Sequence, residues 1–109
     1  MKLDKIKTDY CTRANVEMAK ILIKLLNERD VSQRYLAKAI KVSTNRINQI
    51  LQGKWSVTID TDLRLCKFFN KEDGFFIKQL VELQLKHAKE NLNTQLEKII
   101  PEKAPSREL

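Results

Sequence analysis

Residues 44 to 52, "TNRINQILQ", repeat an uncharged hydrogen-bonding side chain at helical spacing: Thr44, Asn45, Asn48, Gln49 and Gln52. At about 100° per residue these five fall on one arc of a helix, and Ile47, Ile50 and Leu51 fall on the opposite one. A side-chain amide offers a donor and an acceptor side by side. That pairing fits the edge of an adenine in a major groove, and a threonine methyl can rest against the methyl of thymine. The chemistry these residues suit is recognition by hydrogen bonding, not the making or breaking of bonds.

The charges around the arc point the same way. The chain carries 14 Asp and Glu, yet none lies between Asp30 and Asp60, where Arg34, Lys38, Lys41, Arg46 and Lys54 stand instead. The formal net charge is +7, and its concentration in this stretch fits a polyanionic partner better than a solvated helix face, which would mix Glu with Lys. Arg34, Lys38, Arg46 and Lys54 flank the amide arc. They are expected to meet phosphates, which position a helix without specifying sequence, while Thr44, Asn45, Asn48 and Gln49 read the bases. A carboxylate in this block would face a phosphate backbone at close range.

Catalysis lacks its parts. His87 is the only histidine and has no Cys, Asp or second His at ligand or triad spacing, so it reads as a surface residue. No glycine-rich phosphate loop is present, and Asp60 and Asp62 read as residues at a helix start that complement its dipole. Cys11 and Cys66 lie in dissimilar surroundings and read as two reduced thiols, not a disulfide or a metal site. No enzyme activity, metal or cofactor is expected. No apolar run approaches the roughly 18 residues of a membrane span, and no signal peptide is visible, so the expected compartment is the cytoplasm.

With 109 residues and only two Gly and two Pro, both prolines in the last nine positions, the chain is expected to be one all-α domain. Residues 1–14 read as a loosely ordered arm. Asn15 would cap a first helix over 16–28, with Val16, Ala19, Leu22, Ile23 and Leu26 as its apolar stripe. Ser32 and Ser43 would cap two short helices, Gln33 to Ile40 and Thr44 to Leu51, with Gly53 ending the second. A fourth helix would start near Thr58 or Asp60 and turn Ile59, Leu63, Cys66 and Phe69 inward. A fifth would follow an Asn70–Asp73 cap and run from about Lys71 to Ile100. The expected organisation is an arm over 1–14, a domain over 15–90, and a helix extension with a disordered tail over 91–109.

Helices two and three meet across Lys41 and Val42. Leu36, Ile40, Val42, Ile47 and Ile50 occupy the interior positions of a helix-turn-helix, and Ala37 sits where the two helices come closest. Leu85, Ala88, Leu92, Leu96 and Ile99 continue an apolar stripe beyond what such a domain needs, which suggests a dimer seam or a protein-binding surface.

The segment "SQRYLAKAIKVSTNRINQILQGKWSVTIDTDLRLCKFF", followed by "GFFIKQL", resembles the helix-turn-helix of the phage-repressor (Xre/Cro) family and, within it, the HigA antitoxins. The likeness covers about residues 31 to 90. It implies a five-helix repressor-like fold with a long last helix, and a homodimer on a palindromic double-stranded DNA operator. It also implies autorepression and neutralisation of a RelE/HigB-like mRNA-cleaving toxin. By position in the motif, Gln33 matches a phosphate contact, Thr44, Asn45 and Gln49 match base-reading positions, and Arg46 matches a phosphate contact. Lys41 stands where most relatives hold Gly, so the resemblance implies that it takes positive φ despite its side chain. A stand-alone repressor without a toxin, and an interaction module that has lost DNA binding, remain the alternatives.

Overall fold

The computed structural model describes residues 2–103, and their side chains from residue 10 onward. Five helices follow one another: α1 Lys2–Arg29, α2 Gln33–Ile40, α3 Thr44–Leu51, α4 Ile59–Phe69 and α5 Phe75–Glu97. No strand occurs among the described residues. The long helices α1 and α5 lie along each other, α3 rests on α1, and α2 packs against both α3 and α4. One core joins Met18, Leu22 and Leu26 of α1 to Leu36, Ala37 and Ile40 of α2, Ile47 and Ile50 of α3, and Leu65, Phe69, Phe76 and Leu80 of α4 and α5.

Local rules fix the short helices. The hydroxyls of Ser32, Ser43 and Thr58 accept from the backbone N–H groups of Tyr35, Arg46 and Thr61 at 3.0, 3.1 and 3.2 Å, each closing the first turn of a helix. At the other end, α1 to α4 stop in one way. Asp30, Lys41, Gly53 and Asn70 take positive φ, and the next residue donates back to the carbonyl five positions earlier: Val31 to Leu26, Val42 to Ala37, Lys54 to Gln49 and Lys71 to Cys66, at 2.8 to 3.0 Å. This is the left-handed C-terminal motif. Of the four positions only Gly53 needs glycine for a second reason: a Cβ there would stand 2.8 Å from Cγ2 of Val16 and 3.2 Å from its Cα.

Several expectations are corrected. Residues 1–14 were expected as an arm, but the chain is helical from Lys2, and Met1 lies outside the described residues. Asn15 caps nothing; it is buried inside α1, and its Oδ1 accepts from the Ser56 hydroxyl at 2.8 Å. Ala14 is fully buried, so the packed part of α1 reaches back past residue 15. On that helix Val16 and Ile23 are partly exposed, and Met18 takes a core position instead. In α4, Ile59 and Leu63 face solvent at 63% and 45% exposure, while Thr61 and Asp62 turn inward with Leu65, Cys66 and Phe69. The stripe is rotated because two of its inward members are polar, which a hydrophobic pattern assigns to the outside.

Asp62 explains that rotation. It is 1% exposed, and its carboxylate accepts from the N–H groups of Gly74, Phe76 and Ile77 at 2.7, 2.8 and 2.9 Å. The residue expected to serve the start of α4 therefore caps the start of α5. Asn70 ends α4 in the left-handed region instead of opening α5, which begins at Phe75 and runs without a break to Glu97. His87 is corrected as well. Its side chain is 8% exposed, with Nε2 3.3 Å from a Glu17 oxygen and Nδ1 3.6 Å from a Glu90 oxygen, so it sits between α1 and α5 and not on the surface. Burial pushes the Cys66 thiol above its ordinary range, with the neighbouring Asp62 charge adding to the rise, so it stays neutral, and its Sγ–H donates to Asp62 Oδ1 at 3.6 Å. The expected disordered tail falls partly on 104–109, outside the described residues. No helix among those described is long and apolar enough to cross a membrane.

Candidate nucleic-acid interface

The turn between α2 and α3 has the expected geometry. Lys41 adopts φ 63° and ψ 44°, Val42 is half-buried, and Ala37 lies at 2% exposure between the helices. The apolar side of α3 goes inward through Ile47 and Ile50. Thr44, Asn45 and Gln52 are exposed on the other side, with Asn48 and Gln49 half-buried between them. The first turns of α2 and α3 hold no acidic residue, so the positive ends of both helix dipoles are unopposed there.

Within this arc the amides are linked. The Asn48 Nδ2 donates to Gln33 Oε1 at 3.2 Å, and Gln52 Nε2 donates to Asn48 Oδ1 at 2.8 Å. Gln33 opens α2, so the chain of three amides ties the first turn of α2 to the exposed side of α3. The Gln33 carbonyl is used by Asn48, which leaves its NH₂ group as a donor, the polarity a phosphate requires. Asn48 has its carbonyl and one N–H engaged. Asn45 and Gln49 stay available for contacts to an outside partner.

The cations named as candidate phosphate contacts differ in exposure. Arg34, Lys38 and Lys54 are exposed and Arg46 is half-buried. Ion pairs join Arg13 to Glu90 and Arg64 to Asp60, and the His87 ring lies beside Glu17 and Glu90; none of these contacts involves a cation of the helix-turn-helix. Two features escaped the sequence reading. The Arg46 guanidinium carbon lies over the Trp55 ring, 4.9 Å from its centre, and Ser56 is fastened to Asn15 of α1. Both link residues separated by a chain reversal, which no periodicity reports. No group of three or more His, Cys, Asp or Glu side chains gathers as a metal site among the described residues.

An arc of amides on the second helix of a tight helix pair, ringed by cations, defines a class, and comparison with known proteins agrees with it. The family model described as Helix-turn-helix matches residues 15–76. The structure is similar to that of the Pseudomonas aeruginosa antitoxin HigA with the higBA promoter, at 29% identity and TM-score 0.70, over 77% of this chain and 94% of that one. It is also similar to an addiction module antidote protein of a HigA family from Coxiella burnetii, at 33% identity and TM-score 0.73, over 79% and 95%. Among curated proteins, virulence-associated protein I of Dichelobacter nodosus is 33% identical over 66 residues, and the match spans 61% of each chain. The chain belongs to the helix-turn-helix family, and within it to the HigA-type, Xre-like proteins with their all-α repressor-like fold.

Proposed function

We propose that the protein is a sequence-specific DNA-binding antitoxin that represses its own operon as a homodimer and neutralises a RelE/HigB-like mRNA-cleaving toxin. The observation that carries the DNA half is the arc itself. Asn45 is exposed and Gln49 half-buried on a helix whose flanks hold Arg34, Lys38, Arg46 and Lys54, with no acid between Asp30 and Asp60. In this reading Thr44, Asn45 and Gln49 meet base edges, Gln33 and the cations meet phosphates, and Asn48 braces Gln33 while its remaining N–H faces the groove. The similar HigA of Pseudomonas aeruginosa is described with the higBA promoter, which supports promoter DNA as the target.

The toxin half is supported by the likeness to antitoxins and by the surface left over. Leu85, Leu96 and Ile99 are 60%, 42% and 65% exposed along and just beyond the far half of α5, an apolar line that a partner protein or a second copy would cover. Two assays test the proposal on one protein: mobility shift on the DNA upstream of its gene, and growth rescue on co-expression with the adjacent open reading frame. Operator binding without rescue would leave a stand-alone repressor. Rescue without operator binding would remove the DNA half.

A further inference from the structure

Trp55 is the only tryptophan of the chain and is 48% exposed in the loop between α3 and α4. A lid over the core would be buried more deeply, and a wedge for unstacking bases would keep its face free. Instead the ring carries the Arg46 guanidinium, 4.9 Å from its centre. The geometry points to Trp55 as a positioning residue that holds Arg46 in the orientation it uses against a DNA phosphate; the inference rests on the DNA-binding reading above.

Anchors lie on both sides of the ring. Before it, the Lys54 N–H donates to the Gln49 carbonyl at 2.9 Å, closing the turn at Gly53. After it, the Ser56 hydroxyl donates to Asn15 of α1 at 2.8 Å. The Arg46 backbone is fixed as well, because its N–H donates to the Ser43 hydroxyl that caps α3 at 3.1 Å. A guanidinium resting on an aromatic face keeps its N–H edge free, the edge that pairs with two phosphate oxygens at once. A long side chain ordered before the encounter loses less rotational freedom on binding. Trp55 therefore contributes affinity without adding a charge.

The test measures affinity at several salt concentrations for the duplex that the wild-type protein selects from a randomised library. Arg46→Ala should flatten the plot of log affinity against log salt by about 0.9. Trp55→Ala should weaken binding about two- to fivefold, as an exposed cation–π contact would. It should leave the slope unchanged, because the charge remains. Combined with Arg46→Ala, it should cost nothing more. Trp55→Phe, which keeps a ring, should recover part of the loss, and its wild-type-like circular dichroism would exclude unfolding as the cause. Because Trp55 is the sole tryptophan, Arg46→Ala should also shift its emission in the free protein. Additive losses in the double variant, or a flattened slope for Trp55→Ala, would overturn the coupling while leaving DNA binding intact. A wild-type protein that selects no duplex would overturn the DNA reading and this inference together.

Discussion

Asp62→Ala removes the one side chain that closes the start of α5. Its carboxylate takes three backbone N–H groups at 2.7, 2.8 and 2.9 Å, and hydrogen bonds to a charged group contribute about 1.5–3 kcal/mol each. The loss will be smaller than their sum. Gly74 and Ile77 are half-buried and water can reach them in part, whereas Phe76 is fully buried and its N–H would stay unpaired. An expected loss of about 3–5 kcal/mol follows, a large part of the roughly 5–15 kcal/mol that holds a domain of this size. Asp62→Asn should cost less, about 2 kcal/mol, because one oxygen still serves Phe76 and Ile77 while an NH₂ group faces the Gly74 N–H. Urea unfolding gives the order wild type, Asn, Ala, with unchanged slopes, and amide exchange should speed at Gly74, Phe76 and Ile77. A loss below about 1 kcal/mol for Asp62→Ala, or unchanged exchange at those three amides, would refute the assignment of Asp62 as the α5 cap.

Lys41→Gly should raise the urea midpoint, by up to about 1 kcal/mol of stability, since φ 63° strains a residue that carries a Cβ; a lower midpoint would mean that the lysine side chain contributes more than the turn costs. Asn45→Ala with Gln49→Ala should bring operator affinity down toward its non-specific level, each lost bidentate contact removing about 1–3 kcal/mol of discrimination, while folding and growth rescue persist; loss of rescue in a folded protein would place the toxin on the DNA-facing side. Asn48→Ala should weaken all operator variants alike and should not add to Gln33→Ala, whereas relaxed preference at one base pair would make Asn48 a reader and not a brace. Leu85→Glu with Leu96→Glu, at positions 60% and 42% exposed, should lower the sedimentation mass with little change in stability; an unchanged dimer mass would move the seam off this line.

The parts of the fold that local chemistry decides could be read directly. The bounds of α2 and α3, their serine caps and the inward Ile47 and Ile50 each follow from two or three neighbouring residues, while the left-handed Lys41 follows from the resemblance, which places Gly there in most relatives. What could not be read depends on contacts between distant segments. Asp62 reaches twelve positions and more along the chain to Gly74, Phe76 and Ile77, and by turning inward it rotates α4 so that Ile59 and Leu63 face water. His87 looks like a solvated residue among Lys86, Lys89 and Glu90 until α1 is laid beside α5 and brings Glu17 to it. The candidate interface divides in the same way. Its candidate amides on α3 stand out from one helical arc, but the bonds from Gln52 through Asn48 to Gln33, and the stacking of Arg46 on Trp55, join separate elements and emerge only from the assembled helices.

Charge then sets how the two proposed activities share one small domain. Of the net +7, +5 resides between Val31 and Ile59, and the rest of the chain nearly balances its acids with its bases. A polyanion should be steered toward the helix-turn-helix, where the excess positive charge is concentrated. The line along α5 has no such field. Near Leu85 and Leu96 stand Glu82, Glu90 and Glu97 among Lys86, Lys89 and Lys98, a mixed surface on which burial of apolar area outweighs net charge. DNA association should therefore weaken steeply as salt rises, whereas association through α5 should change little, since exposed charges are screened over about 10 Å at 0.1 M salt and buried apolar contact is not. Measuring both on one preparation separates the surfaces without any substitution. A partner that leaves with the DNA as salt rises would be held by the cationic face and not by the apolar line.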